Sequence, residues 1–282
     1  MPKGRDRKRK KVITMLCETV YLREDDKDVR LETYISKKSG DMWWTPPRDC
    51  MIIIPGGAYC FLAEREAEPP AKAFLGEGFN CFVLYYSIGE KAKFPRPLQD
   101  VSLAIAHIKR NAERYNINPD RIFVCGFSAG GHLAASAGVF WNRPEAAFEG
   151  MMAGENRPAG MVLSYGVVSF GEHTHLESCR YVTGKEDPTP EERAYWSPDK
   201  HIGPDTVPAF LWHTQKDDCV DVRCALDMTN ALILGGVPAE IHIYPEGPHG
   251  LSVATEETGN ADAHIAHWIR DCAEWTKIIK EI

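Results

Sequence analysis

The sequence of 282 residues has no hydrophobic run approaching the roughly 20 residues that a transmembrane helix requires. This absence predicts a chain that does not span a membrane. A secretory signal peptide needs an apolar core of roughly 7–15 residues. Only the short, mainly apolar stretch 12–17 follows the basic leader, and no small-residue cleavage site comes after it. We therefore expect a cytoplasmic protein with no membrane partner.

Excess positive charge is also absent, because 33 Lys and Arg residues face 40 Asp and Glu residues and leave a formal net charge of −7. Nucleic acids and anionic membrane surfaces attract basic proteins. The composition therefore predicts no nucleic-acid partner and remains compatible with a neutral small molecule or a sugar. The basic stretch 3–11 is the exception, and we interpret residues 1–16 as a disordered, solvated leader rather than a localisation signal.

No C-x-x-C motif occurs among the nine cysteines, which are odd in number and scattered along the chain. Such a distribution favours reduced thiols over a disulfide framework. The histidine pairs His173/His175 and His264/His267 lack cysteine or acidic neighbours at metal-ligand spacing. We therefore predict no metal and no cofactor.

Short apolar runs alternate along the chain with stretches of helical periodicity, and no internal repeat is present. The runs that predict buried strands are residues 51–54, 81–86, 121–125, 161–164, 207–212 and 239–244. The stretches that predict helices are residues 69–79, 97–115, 131–138 and 222–234. Strands separated by helices in this way usually pair in parallel. The pattern predicts an α/β fold, with a single domain over residues 17–282 and a mostly parallel central sheet flanked by helices.

Two segments have roles that the pattern leaves open. Residues 166–205 have little periodicity and many prolines, histidines and charges, which is typical of a lid or a substrate wall, with an inert excursion as the alternative. If this segment lines the site, Tyr195 and Trp196 are placed to stack on a sugar or aryl ring. The amphipathic stretch 265–279 predicts a helix packed on the sheet, with a dimer face as the alternative, so the oligomeric state stays open.

The pentapeptide Gly126-Phe127-Ser128-Ala129-Gly130 stands between a predicted strand and a predicted helix. A sharp strand-to-helix turn forces its central serine into a strained backbone conformation and leaves no room for side chains two positions before and after. Glycine occupies both of those positions. The pattern therefore predicts a nucleophile elbow with Ser128 as the nucleophile.

A serine hydroxyl needs a general base and a carboxylate that orients that base. Each can come from a loop that follows a predicted strand. His249 lies in such a loop after residues 239–244, and Asp217, Asp218 and Asp221 share the loop after residues 207–212. The resulting order of serine, aspartate and histidine is the order of α/β-hydrolases. Position alone leaves the choice among the three aspartates open.

The segments Ile-Ile-Ile-Pro-Gly-Gly-Ala-Tyr at 52–59, Arg65-Glu66 with the residues up to Pro69, GFSAGGH at 126–132 and WHTQKD at 212–217 resemble the small carbohydrate-esterase and acetylxylan-esterase branch of the α/β-hydrolases. The resemblance runs from about residue 31 to the C-terminus and implies an α/β-hydrolase fold. It implies Asp217 as the acid, four residues after a histidine at the strand end, with Asp218 as the alternative. It also implies an oxyanion hole formed by the backbone amides of the residues Gly57, Ala58 and Ala129, where the family has a third glycine in place of Ala58.

By that resemblance the chain is expected to be a serine ester hydrolase whose substrate is a small-molecule ester, with an acetylated sugar or xylo-oligosaccharide as the preferred one. A general short-chain carboxylesterase and a formamidase-like amidase use the same triad with different pockets and are the enzymatic alternatives. A hydrolase-fold receptor for a small ligand is the non-enzymatic one. Arg65 and Glu66, which belong to the resembling segments, are expected to form a structural ion pair.

Overall fold

A computed structural model describes residues 15–36 and 46–279, so most of the predicted basic leader lies outside the described residues. The strands are β1 (Thr19–Tyr21), β2 (Arg30–Tyr34), β3 (Arg48–Ile54), β4 (Asn80–Tyr85), β5 (Ile117–Phe127), β6 (Gly160–Ser164), β7 (Ala209–Thr214) and β8 (Ala239–Tyr244). The helices are α1 (Glu68–Gly76), α2 (Arg96–Arg110), α3 (Ala112–Tyr115), α4 (Ala129–Val139), α5 (Leu176–Thr183), α6 (Pro190–Tyr195), α7 (Arg223–Leu234) and α8 (Trp268–Ile278). In these described ranges no helix is both long and apolar enough to cross a bilayer.

The strands form one sheet in the order β1-β2-β4-β3-β5-β6-β7-β8. All pairs from β4 through β8 are parallel, while β1 and β2 join the β4 side in antiparallel pairs. In the centre, Ile53 of β3 pairs with Val83 on one side and with Cys125 on the other. The predicted α/β-hydrolase fold with a mostly parallel sheet is confirmed.

Both faces of the sheet are covered by apolar side chains, because successive residues of a strand point to opposite faces. Ile52 belongs to a buried cluster that includes residues of α2, α4 and α7. Its neighbour Ile53 belongs to a second cluster, which contains Phe74 of α1 and Trp268 of α8. Since strands buried on both faces read as continuous apolar runs, the central strands are visible in the sequence.

Three features of the fold differ from the sequence prediction. Strands β1 and β2 were missed, because β2 alternates half-buried and buried residues at the margin of the sheet and lacks a continuous apolar run. The helix predicted over residues 97–115 divides into α2 and α3 at Asn111, whose side-chain amide donates to the carbonyl of His107 and competes with the helical bonds. Segment 166–205 contains α5 and α6, and α6 begins at a capping box between Thr189 and Glu192. That capping box is a helix-start signal present in the sequence itself, with Glu192 three residues after Thr189.

The turn from β5 into α4 requires glycine for steric reasons. A Cβ atom on Gly126 would lie 2.0 Å from the carbonyl oxygen of Gly130. One on Gly130 would lie 2.1 Å from the carbonyl oxygen of Ile54 in β3. Both distances are far below van der Waals contact, and both obstacles are backbone atoms that cannot rotate away. The ends of β3 and β5 and the start of α4 therefore meet backbone to backbone.

We predict that Gly130→Ala destabilises the fold by about 1–3 kcal/mol, the usual cost of forcing extra volume into a packed interior. Gly76→Ala is the matched control, because a Cβ at that helical glycine meets nothing within 4 Å. Alanine favours helix over glycine, so this control should be neutral or slightly stabilising. Urea denaturation of both variants measures the difference, and equal stabilities would contradict the steric argument.

Candidate active site

Ser128 lies at the carboxyl end of β5, at the residue that precedes α4. Its backbone has φ +53° and ψ −120°, a conformation that residues other than glycine rarely adopt. The Ser128 amide donates to the carbonyl of Ser164 in the neighbouring strand β6 at 3.0 Å. The turn therefore has the strained conformation expected of a nucleophile elbow, and the Ser128 side chain is directed beyond the sheet edge.

The structure brings Ser128, His249 and Asp217 together from the loops after β5, β8 and β7. The distance between His249 Nε2 and Ser128 Oγ is 2.9 Å. On the other side of the ring, His249 Nδ1 lies 2.8 Å from Asp217 Oδ2. When Nδ1 carries the proton and donates to the carboxylate, Nε2 is free to accept the serine proton. The three groups form a continuous hydrogen-bonded chain.

Asp217 is buried and held in its charged form by several donors. Its Oδ1 accepts the backbone amides of Val220 at 2.8 Å and Cys219 at 2.9 Å. Its side chain is 1% exposed. Burial alone would raise the carboxyl pKa, but hydrogen bonds from His213 and His249 outweigh it and hold the pKa of Asp217 well below its ordinary value. A carboxylate that is ionised at neutral pH therefore faces the histidine ring.

Asp218 and Asp221, the other two acidic residues of this loop, have different partners. The carboxylate of Asp218 accepts the backbone amide of His249 at 3.1 Å rather than a ring nitrogen. The carboxylate of Asp221 pairs with Arg223 at the start of α7. Asp217 is thus the aspartate of this loop whose carboxylate reaches the His249 ring, while Asp218 supports the backbone of the histidine loop.

The loop after β3 lies beside the serine. Gly57 and Ala58 line the same cleft as Ser128 and have positive φ angles of 123° and 54°. A Cβ on Gly57 would lie 2.2 Å from the Phe61 carbonyl oxygen, so glycine is required there. Within the described residues the Ala58 amide donates to no acceptor. The amide of Ala129, the first residue of α4, has no partner inside its own helix. These amides are available to an oxyanion.

The cleft at Ser128 has a volume of about 210 Å³. Five lining residues escaped the sequence prediction: Phe61, Ala63, His175, Glu177 and Cys219. His175 and Glu177 come from segment 166–205, at the start of α5, where His175 Nδ1 accepts the Ser178 amide. Their only sequence signal is their place within the segment predicted to be a substrate wall.

Tyr195 and Trp196, in contrast, are not among the residues that line this cleft. The Tyr195 hydroxyl contacts Glu145. The indole of Trp196 packs edge-on against Phe94 at a centroid distance of 5.1 Å. Since neither ring lines the cleft, the structure does not place them to stack on a substrate bound at Ser128.

The predicted ion pair between Arg65 and Glu66 is also wrong. Among the described residues Glu66 makes no salt bridge, and its carboxylate is enclosed and accepts the Gly56 amide at 2.8 Å. Arg65 Nε instead donates to the carbonyl of Gly250 at 2.9 Å. Adjacent positions in the 3₁₀ turn direct the two side chains to different loops.

We predict that Asp217→Asn slows the reaction of Ser128 with a fluorophosphonate probe by up to about 10⁴-fold, because an amide facing Nδ1 favours the wrong tautomer of His249. Asp218→Asn is the matched control. It keeps an oxygen acceptor for the His249 amide and should change the labelling rate less than about 10-fold. A larger loss for Asp218→Asn than for Asp217→Asn would reverse the assignment.

Curated relatives match only part of their own length. Endo-1,4-beta-xylanase B of Butyrivibrio fibrisolvens is 39% identical over 218 residues, which cover 74% of this chain and 33% of that protein. An acetylxylan esterase of Xylanibacter ruminicola is 28% identical over 217 residues, which cover 74% of this chain and 42% of that protein. The chain thus spans less than half of the length of either relative.

Solved structures match over nearly their whole length. The crystal structure of an acetyl ester-xyloside bifunctional hydrolase from Caldicellulosiruptor lactoaceticus superposes with a TM-score of 0.79 at 32% identity, covering 94% of this chain and 97% of that one. Residues 41–232, more than half of the sequence, match the family model described as BD-FAE. The chain therefore belongs to the BD-FAE family, an esterase-like branch of the α/β-hydrolases.

Proposed function

We propose that this protein is a serine carboxylic-ester hydrolase that removes acetyl groups from acetylated sugars or xylo-oligosaccharides. The observation that carries the proposal is the hydrogen-bonded chain from Ser128 Oγ through the His249 ring to Asp217. It ends on a serine in the strained conformation of a nucleophile elbow. Membership of an esterase-like family supports the same chemistry.

The proposed reaction has two halves that use one base. His249 Nε2 takes the hydroxyl proton of Ser128 while Oγ attacks the ester carbonyl, and the imidazolium then protonates the departing alcohol. Water attacks the resulting acyl-serine, gives its proton to His249, and the acid leaves as Ser128 recovers that proton. The amides of Gly57, Ala58 and Ala129 stabilise the oxyanion in both halves, and each such donor contributes on the order of 2.7–4 kcal/mol.

The acyl preference follows from the size of the cleft. A volume of about 210 Å³ is smaller than the roughly 300–1,000 Å³ of pockets that enclose drug-sized ligands. Phe61 and His175 stand on its wall. A short acyl group such as acetyl fits this space better than a long chain. The names of the relatives above, an acetylxylan esterase and an acetyl ester-xyloside hydrolase, support the same choice.

The alcohol part of the substrate has a separate place to extend. An open groove of about 680 Å³ adjoins the cleft through Glu177, which lines both. The groove contains the half-buried ring of Tyr181 together with the charged side chains of Lys93 and Arg180. Acidic and basic groups are mixed along it, so it offers hydrogen-bond donors and acceptors without a strong field of one sign. A neutral, hydroxyl-rich chain suits such a groove.

We expect Ser128-dependent release of acetate from acetylated xylo-oligosaccharides, because the hydroxyl is the attacking group. The measurement compares these oligosaccharides with short- and long-chain aryl esters and an N-formyl amide, for wild type and Ser128→Ala in parallel. Removal of a nucleophile typically lowers kcat by about 10⁶-fold. Activity confined to aryl esters or to the amide would retain the serine chemistry and reject the sugar substrate. A lack of serine-dependent turnover on every substrate would favour a ligand-binding role.

We expect Tyr181→Ala to raise KM for an acetylated xylo-oligosaccharide about 5- to 30-fold, equivalent to about 1–2 kcal/mol of lost ring contact, while KM for a short aryl acetate stays the same. The aryl acetate ends before the groove, so it does not sense the change. Tyr21→Ala, at an exposed tyrosine of β1, is the matched control. A parallel rise in KM for both substrates would place the alcohol part elsewhere.

A further inference from the structure

Glu66 is a buried acidic residue for which the proposed reaction has no use. It ends the 3₁₀ turn Glu64–Glu66 and is 1% exposed. One carboxylate oxygen accepts the Gly56 amide and the other accepts the Tyr165 hydroxyl, each at 2.8 Å. A buried carboxylate is costly unless its oxygens are paired. Its two partners belong to segments on opposite sides of Ser128.

The first partner lies in the loop that carries the proposed oxyanion amides. Gly56 directly precedes Gly57, and a Cβ on Gly56 would lie 2.8 Å from Ser128 Cβ and 2.7 Å from Glu66 Oε2. The Gly56 backbone is thus held between the carboxylate and the serine. Displacement of this carboxylate would move the amides of Gly57 and Ala58 relative to Ser128.

The second partner reaches the loop that carries His249. The Tyr165 ring packs edge-on against the His249 ring at a centroid distance of 5.0 Å, and its hydroxyl accepts the Ser252 amide at 2.9 Å. Arg65 binds the same loop, through the Gly250 carbonyl already described and by accepting the Ser252 hydroxyl on its own carbonyl. The 3₁₀ turn therefore contacts the histidine loop at two points.

The charge state of Glu66 decides whether both bonds persist. An ionised carboxylate accepts from Gly56 and Tyr165 together, whereas a protonated one carries a hydrogen that faces one of two donors. Burial raises the pKa of Glu66, opposed by the bonds from Tyr165 and Gly56 and by the charges of His249 and Arg65. Tyr86 also faces Glu66, and burial together with the Glu66 charge raises the pKa of Tyr86. The Tyr86 hydroxyl, however, donates to the Pro55 carbonyl.

We propose that ionised Glu66 is a positioning residue. It holds the loop that contains Gly57 and Ala58, and the loop that contains His249, in fixed positions relative to Ser128. The proposal rests on the ester-hydrolase function above. Glu66 lines the same cleft as Ser128, but its carboxylate bonds to the Gly56 amide and the Tyr165 hydroxyl rather than to Ser128 or His249, so it acts through those two groups. Its loss should therefore affect the transition state more than substrate binding.

The test is Glu66→Gln against Glu64→Gln, which removes an exposed carboxylate from the same 3₁₀ turn. The amide of glutamine can accept one of the two hydrogen bonds but turns its NH₂ group toward the other donor. We expect kcat for a short aryl acetate to fall about 10- to 100-fold in Glu66→Gln, the scale of a small misplacement of catalytic groups, with KM unchanged. Glu64→Gln should match wild type.

The pH profile separates positioning from a purely structural role. Glutamine does not titrate, so the ratio of wild-type to Glu66→Gln kcat should decrease as falling pH protonates Glu66 in the wild type. Because the Glu66 pKa is raised, this decrease should begin above the ordinary glutamate value of about 4.3. Stability should change in the opposite direction: the free energy of unfolding of the wild type should fall relative to that of Glu66→Gln as pH rises from the ordinary glutamate pKa through the raised folded-state pKa.

Two outcomes overturn the inference: a folded Glu66→Gln with wild-type kcat, or a kcat ratio that does not change with pH. If Glu66→Gln does not fold, Tyr165→Phe decides, since it keeps the ring against His249 and removes the hydroxyl between Glu66 and Ser252. A wild-type kcat in Tyr165→Phe then rejects the proposal, and a loss of kcat at constant KM supports it. Absence of Ser128-dependent turnover in the wild type would instead reject the ester-hydrolase function.

Discussion

The architecture of the site depends on the close backbone contact among the end of β3, the end of β5 and the start of α4. Gly126 and Gly130 permit this contact, since a Cβ on either would lie about 2 Å from a carbonyl oxygen. The contact places Ser128 at the edge of the sheet and the Gly56-Gly57 loop directly beside it. The strain at Ser128 is tolerated because the packed elements on both sides hold the turn in place.

Parallel pairing then gathers the remaining groups. The carboxyl ends of β3, β5, β7 and β8 lie along one edge of the sheet, where loops of open α/β sheets form ligand sites. Each loop supplies a different kind of group: backbone amides, the serine, the aspartates and the histidine. Segment 166–205 adds His175 and Glu177 to the cleft wall and joins the cleft to the adjacent groove. A segment outside the sheet thus supplies part of the cleft wall.

Two buried carboxylates serve the site in different ways. Asp217 accepts several hydrogen bonds that overcome the cost of burial, and it faces the His249 ring. At Glu66 burial dominates and raises the pKa, so an ionised carboxylate there has a cost in folding free energy. A buried charge of this kind destabilises the fold slightly, so its presence calls for a functional reason. The bonds from Glu66 to the two loops beside Ser128 supply one, and proteins commonly accept local instability at functional sites.

Short-range chemistry explains what the sequence determined by itself. The central strands, the glycine spacing around Ser128, and the places of the aspartate loop and of His249 after predicted strands are readable because each depends on neighbouring residues. Residues alone could not choose between Asp217 and Asp218, detect the marginal strands β1 and β2, or identify the partners of Glu66. Ser128 and His249 are 121 positions apart, and Glu66 and Tyr165 are 99 apart. Such contacts exist only after the strand ends converge, so the tertiary structure alone decided them.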